Sequence, residues 1–568
     1  MYIDEVPNRN SRPAVLLRES HRRGKKTIKK TLANMTDWPK ELVDTIRLVL
    51  KGETMVPKDG VFAIEGSIPH GHVEAVLGTL RQLGIEDMIA AKRCRERDLV
   101  VAMIVQRLID PCSKLATTRE WHDTTLAQEL SVVDASEDEL YAALDWLLKR
   151  QERIENKLAG KHLHEGAVVL YDLTGSTYYG RACPLAAWGK NRDGAKQPCI
   201  AYGLLADREG RPISVDVYEG NTGDPTTVPD QVDKLRARFS LSRVVLVGDR
   251  GMLTDTQIDT LRKHRGLGWI SALRSEAIRG LVESGDLQLS LFDGQNLAEI
   301  TSVEFPGERL MACHNPFLAE DRNRTRQELL DQTEKRLKKI VAQVRRRTKK
   351  PLKADEIGVK VGKVINHYKV GKHFKLTIED NRFIFERDEA AIAQEADLDG
   401  IYVVRTSEAR KDLSKEDTVR TYKSLSQVEQ AFRCLKGVDL RVRPIHHRTP
   451  DHVRAHVFLC TLAYYLEWHI RKALASVLFE DEELEKARTT RDPVAKAEPS
   501  DSVKRKKATH LTPDGWTVQS FRTLMKKLGT RCRNTCRAGN DKTHATFYEL
   551  TEPTPFQAHV FQLLGLSP

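Results

Sequence analysis

The sequence predicts an α/β protein: a mixed five-stranded sheet flanked by helices, interrupted by an inserted α+β subdomain and preceded by a mainly helical N-terminal domain. Three observations predict it. From Gly166 to about Arg274, short β-branched runs alternate with helical stretches, the rhythm of an α/β core. Two of those runs, VVLYD and VVLVGD, end on acids, Asp172 and Asp249. Further on, YKSLSQVEQAFRCLKG carries Tyr422, Glu429 and Lys436 at seven-residue intervals, with no helix breaker before Gly437. Seven residues turn an α-helix by about 700°, ~20° short of two turns, so the three side chains are expected on one helical face.

At 568 residues the chain is too long for one core and implies two to four domains. Its 92 Lys and Arg outnumber 80 Asp and Glu, a net charge of +12 that favours a polyanionic partner. Nine cysteines lie scattered, and the closest pair, Cys532 and Cys536, has no further Cys or His ligands nearby, which fits reduced thiols. No apolar run approaches the ~18 residues of a membrane span, and the opening MYIDEVPNRN has no signal-peptide core. A cytoplasmic protein with no membrane partner is expected.

Residues 1–72 read as a small basic β/α region, because RPAVLLRESHRRGKKTIKKTL alternates apolar and basic positions around Arg23-Gly24. Residues 73–162 turn helical: VEAVLGTLRQLG, RDLVVAMIVQRLI and SEDELYAALDWLLKRQERIENKL repeat apolar residues three or four apart. The last opens with a capping box, Ser136 and Glu139. SKLATTREWH, between the second and third of these, has the look of a recognition helix, although small helical bundles share that look more commonly; on charge and context this domain is expected to bind DNA. In residues 163–274 the candidate strands are AVVLYD, CIAYGLLAD, PISVDVYEG, RVVLVGD and GWISALR. A helix follows GNTGDPTT, with Asp224 as N-cap and Pro225 as its first residue. Five strands with one helix after the third is the order of an RNase H-like sheet, in which the first and fourth strands are neighbours. That order would bring Asp172 beside Asp249.

Residues 275–420 break the rhythm. They hold possible strands at LAEITSVEF, FKLTIEDNRFIFER and GIYVVRT and a long basic helix over RNRTRQELLDQTEKRLKKIVAQVRRRTKK, and are expected to form the inserted subdomain. Residues 421–478 return to the core with the third acid and a buried helix. Residues 479–512 are charged and poor in aromatics, the composition of a flexible linker, and 513–568 form a C-terminal segment.

If the Glu429 helix packs beside the two strand ends, three carboxylates converge. That is the ligand set for two hard divalent cations, Mg²⁺ with Mn²⁺ able to substitute. Asp172 would bridge the pair, and Asp249 and Glu429 would each hold one ion. Such a site cuts or joins phosphodiesters. Crowding the carboxylates without metal raises their pKa, so cation binding should be coupled to proton release. Taken singly, each acid reads as a turn, cap or solvated residue; the combination carries the expectation. Arg345, Arg346 and Arg347, with Lys349 and Lys350, cluster cations at a helix end suited to phosphates, or nearly as well to a solvated face. His446 and His447, near Arg443, are structural or phosphate-facing, because imidazole is not a hard-ion ligand.

With these motifs in place, the chain resembles the DDE transposases of bacterial insertion sequences, in the insertion-sequence-four-like group. Its third-acid helix carries Tyr, two residues, Arg, three residues, Glu, six residues and Lys. Here those positions hold Tyr422, Leu425, Glu429 and Lys436. DLTGSTYYG, WGKNRDGAKQP, GLLADREGRPISVDVYEGNTGDPTT and VGDRGM are also similar to that family, and the resemblance runs from residue 1 to about 475. It implies a cut-and-paste enzyme acting on double-stranded DNA, both element ends and target, with no small-molecule substrate and in association with the nucleoid. A homodimer would pair the terminal inverted repeats, with hairpin intermediates common in relatives. Tyr422 and Lys436 would touch phosphates near the cleaved end, and Lys423 or Arg433 would supply the charge that Leu425 lacks. The inserted subdomain would help hold the element end; Trp269, Phe374, Phe383 and Phe385 could stack a displaced base, although each also suits a core. The rival readings are a metal-dependent nuclease of the same fold that never joins strands, and an inactive transposase-derived repressor.

Overall fold

The computed structural model describes residues 1–568 except 10–11, 25, 54–61, 191–195, 539–544 and 568. Part of WGKNRDGAKQP thus lies outside the described residues. The chain divides into two compact units, one of Met1–Ile68 with Cys532–Thr551 and one of Pro69–Arg531 with Glu552–Pro568.

In the smaller unit, strands Tyr2–Val6, Ala14–Arg23 and Lys26–Asn34 form an antiparallel sheet. The third strand is almost wholly exposed and carries Lys26, Lys29 and Lys30, with the apolar Ile28 and Leu32 exposed as well. A second three-stranded sheet joins Phe62–Pro69 to Cys532–Ala538 and Thr546–Leu550. Residues 513–568 are therefore not one separate segment: strand pairing takes part of them into a sheet with the N-terminal region.

The larger unit opens with helices α1 (Gly71–Gln82), α2 (Arg95–Ile109), α3 (Lys114–Glu120), α4 (Glu137–Leu148) and α5 (Gln151–His162). Ser136 caps α4 in the expected capping box, accepting from the Glu139 amide while Glu139 accepts from its own. The stretch expected as one helix over 136–158 is two, broken at Lys149-Arg150. The α3 segment has only seven residues, with Lys114 and Thr117 buried.

The central sheet has nine strands. Its core is β1 (Ala167–Thr177), β2 (Lys196–Asp207), β3 (Pro212–Glu219), β4 (Val244–Val247) and β5 (Leu267–Ala272), in spatial order β3-β2-β1-β4-β5. β2 is antiparallel to β1 and β3, whereas β4 runs parallel to β1 and β5. The short strand Ala187–Lys190 also pairs with β2. Asp224 does not cap a helix; it is the first residue of a 3₁₀ turn, Asp224–Thr227, whose N-cap is Gly223.

The sheet does not stop at five strands. β6 (Leu297–Ile300), β7 (Arg309–His314) and β8 (Ile401–Thr406) extend it past β5 in the order β5-β8-β7-β6, all antiparallel. The segment expected as a separate insert thus gives its own strands to the core, where they satisfy the β5 edge. What stands apart from the sheet is α6 (Pro316–Arg346), a helix Ala354–Tyr368 and the hairpin Phe374–Arg387. These share an apolar core of Leu330, Leu337, Val344, Ile357, Val361 and Phe374.

The chain returns to the sheet through α7 (Lys415–Lys423) and α8 (Ser426–Lys436), then α9 (Pro450–Ala473), which is buried along most of its length. Residues 479–512 are ordered against this body rather than a linker. They hold helices Leu484–Thr490 and Asp501–Thr509. Lys506, 1 % exposed, donates to the carbonyls of Ala475, Leu478 and Glu480 at 2.6, 3.1 and 3.1 Å. A lysine at that depth needs several acceptors to offset its lost hydration, and those bonds fix the segment that its composition suggested was free.

Candidate active site

Register sets the first two acids side by side. Leu170 of β1 lies opposite Val247 of the parallel β4, and Asp172 and Asp249 each follow two residues further along. Neighbouring strands are about 4.8 Å apart, so the two acids lie beside each other where β4 ends, although the first is not at a strand end as expected: β1 runs on to Thr177, paired with β2. One oxygen of each is held by backbone: Asp172 Oδ1 accepts from the Leu173 amide at 2.8 Å, and Asp249 Oδ1 accepts from the Gly251 and Met252 amides at 2.9 and 2.7 Å. Among the described residues the other oxygen of each has no hydrogen-bond partner.

The third acid arrives on a helix that is not continuous. The expected single helix from Tyr422 to Lys436 is interrupted at Ser424-Leu425. Ser424 Oγ donates to the Thr421 carbonyl at 2.6 Å, and the amides of Leu425, Gln427 and Val428 bond three residues back instead of four. A serine bonding the preceding turn tightens the backbone in this way. Tyr422 therefore sits on α7 and Glu429 on α8, yet both remain beside Asp249: the charges of Asp249 and Glu429 both act on the Tyr422 hydroxyl.

The electrostatics are those of an anionic cluster. Burial, then the charges of Asp249, Asp224 and Glu429, push the Asp172 carboxyl up to about 7, against the Leu173 amide that favours its anion. Asp224 is raised as well, by burial and by Asp249. Burial, with Asp249 second, pushes Tyr422 up to about 12 while Arg250 opposes, so its hydroxyl is a neutral donor at physiological pH. Hard oxygen donors with unused lone pairs and excess negative charge fit divalent cations. Among the described residues, the set of three ligand groups within 4.8 Å of one another is a different one, Cys434, Asp439 and Glu467. There the Arg471 guanidinium already supplies positive charge, bonding Glu467 at 2.6 Å and Asp439 at 2.9 Å. The ligand oxygens of Asp172, Asp249 and Glu429 do not all lie within 4.8 Å of one another.

Residues 165–466, more than half of the chain, match the family model of the transposase DDE domain. The chain belongs to this family. It is a transposase, a metal-dependent DNA-cleaving enzyme, and Asp172, Asp249 and Glu429 all fall inside the matched range. No curated protein sequence matches it. Among the described residues, no helix is long and apolar enough to cross a membrane.

The remaining predicted contacts of the transposase fall into two groups. Lys436 is turned inward: its ammonium donates to Thr174 and, at 2.7 Å, to the Gly175 carbonyl on β1. Lys423 is turned away too, donating to the Val494 and Ala495 carbonyls at 3.1 Å each. It is thus not placed to stand in for the charge missing at Leu425, a residue half-buried against the core. Arg433 is exposed, as are Arg345, Arg346 and Arg347 at the end of α6; among the described residues none of these four has an ion pair. Trp269, Phe374 and Phe383 are buried and Phe385 packs against the core that holds the other two phenylalanines, so these rings serve packing.

Two residues near the acids are not marked as site residues by the sequence reading, Asp224 and Arg250. A signal for Asp224 is present in the strand order. β3 runs parallel to β1 and β4, so the loop after it leaves at the end of the sheet where β4 gives way to Asp249, and Asp224 lies in that loop.

Proposed function

We propose that this transposase belongs to the insertion-sequence-four-like group, binds the terminal inverted repeats of a mobile element as a homodimer, cleaves at the element ends and joins the 3′-hydroxyls to target DNA. The sheet is read as RNase H-like, supported by the order β3-β2-β1-β4-β5 with β2 antiparallel. The observation that carries the reading is the shared register of Asp172 and Asp249 on parallel strands, with Glu429 close enough to raise the Asp172 pKa.

Asp172, Asp249 and Glu429 would hold two Mg²⁺ ions, with Mn²⁺ able to substitute, and these supply charge neutralisation and an activated water for phosphodiester cleavage. The protein's own part follows from its side chains. Asp172 must lose a proton that it keeps near pH 7 in the cation-free state. Tyr422 offers a hydroxyl donor to a phosphate oxygen beside the acids, and exposed Arg433 a permanent cation. Residues 73–162 and the cationic end of α6 are assigned to DNA binding, 163–274 and 421–478 to catalysis, and 275–420 to holding the element end. A cytoplasmic, nucleoid-associated location goes with this reading.

Pre-cut element ends incubated with target DNA and Mg²⁺ test it. Joined product is expected; hydrolysis without joining would favour a nuclease, and neither product would favour a repressor.

A further inference from the structure

A second polar site lies elsewhere in the larger unit. A cavity of about 760 Å³ opens between the α2–α3 corner, α4, the loop after α8 and the start of α9. Its permanent charges are Arg107, Arg441, Arg443 and Arg448, joined by Lys114, and no carboxylate lines it. Protein surfaces intersperse opposite charges, and four arginines with a lysine around one hollow without an acid favour the entry of an anion.

Lys114 makes this a built site. It is 5 % exposed, lines the cavity, and among the described residues has no hydrogen bond or ion pair. Burial, then the Arg107 charge, push the unpartnered Lys114 amine down to about 7, so it is a group that an entering anion would charge fully. Arg107 is as deeply buried, and its hydrogen bond to the Arg441 carbonyl is long, at 3.5 Å. His456, 5 % exposed, bonds the Val442 carbonyl through Nε2 at 3.1 Å and leaves Nδ1 unpartnered. Burial holds His447 and His456 uncharged, so they contribute polarity and ring surface rather than further charge.

We propose that this cavity binds a nucleotide through its phosphate, either free or at the end of a DNA strand. Guanidinium forks and an ammonium are the groups that recognise phosphate. The volume exceeds what an inorganic anion needs and falls in the range of small-molecule sites. Tyr141, stacked on His452 with centroids 5.0 Å apart, gives the cavity an aromatic wall for a base. Arg443 also donates to the Lys436 carbonyl at 3.3 Å, so the cavity touches the end of α8. The inference stands without the catalytic reading, because it is tested with no divalent cation and no cleavage.

The test is calorimetric titration of the full chain in EDTA with a deoxynucleoside 5′-monophosphate, inorganic phosphate, and one single-stranded oligonucleotide bearing either a 5′-phosphate or a 5′-hydroxyl. Lys114→Met and Arg448→Gln are each expected to weaken the monophosphate about tenfold, the effect of removing one charged phosphate ligand, whereas Lys114→Arg stays within about threefold. Arg448 is exposed, so its variant decides the matter if Lys114→Met does not fold. Tighter binding of the 5′-phosphorylated oligonucleotide than of its 5′-hydroxyl form identifies a strand end; binding of the monophosphate alone identifies a free nucleotide. Inorganic phosphate binding as tightly as the nucleotide overturns the nucleotide assignment. No binding by about 1 mM, or binding indifferent to both substitutions, overturns the site.

Discussion

Lys436 donates a 2.7 Å hydrogen bond to the carbonyl of Gly175, tying the helix that bears Glu429 to the strand that bears Asp172, three residues beyond that acid. The same ammonium lies 5.7 Å from the Tyr202 ring and 5.8 Å from the Phe432 ring. It acts as a strut between two acid-bearing elements, so Lys436→Met should cost about 1–3 kcal/mol of stability and lower cleavage at least about tenfold by loosening Glu429. Chemical denaturation beside a cleavage assay checks both; an unchanged midpoint would contradict the strut.

Asp172 links the site to pH. Its carboxyl titrates near 7 in the folded chain against about 3.9 when unfolded. Between those values the folded chain binds more protons, so this group's contribution makes stability fall as pH rises. Asp172→Asn should abolish cleavage yet stabilise the cation-free protein at pH 8 by on the order of 2 kcal/mol, seen as a higher melting temperature, with little effect at pH 4. Added Mg²⁺ should stabilise the parent more than the variant. Thermal melts at the two pH values with EDTA or Mg²⁺ decide this.

Lys423 separates structure from recognition. Because its ammonium is bonded to the Val494 and Ala495 carbonyls, Lys423→Met should lose about 1–2 kcal/mol of stability while DNA affinity stays within about twofold. A large affinity loss in a stably folded variant would return Lys423 to the DNA interface.

The arginines at the end of α6 make the opposite forecast. Replacing Arg345, Arg346 and Arg347 together by Gln should leave unfolding unchanged, since all three are exposed. It should reduce the slope of log affinity against log salt by up to about 2.7, near 0.9 for each phosphate no longer neutralised. Binding isotherms at several salt concentrations measure it; an unaltered slope would mean a merely solvated face.

Tyr422→Phe isolates one hydroxyl. The ring remains packed, so stability should change by less than about 1 kcal/mol, while cleavage falls about tenfold for one missing donor to a phosphate. Full activity of the variant would assign Tyr422 to packing alone.

The sequence alone determined the parts that depend on local pattern. A β-branched run leading to Asp249, a capping box at Ser136, and an acid on an amphipathic helix are properties of short windows and lie where the pattern placed them, whereas the run at Asp172 does not end there: β1 continues to Thr177, held by pairing with β2 that the local pattern does not encode. The Ser424 break is not legible in the same way, because serine inside a helical pattern is no breaker until its hydroxyl turns back to Thr421. Only the tertiary structure decided what distant segments do to one another. It paired β8 with β5 and so drew the insert into the sheet, supplied the three carbonyls that hold Lys506, turned Lys436 and Lys423 inward, and brought Asp224 to the other acids. Hydrogen-bond partners for a buried ammonium or an open strand edge come from wherever the chain returns, and no local stretch of residues encodes that.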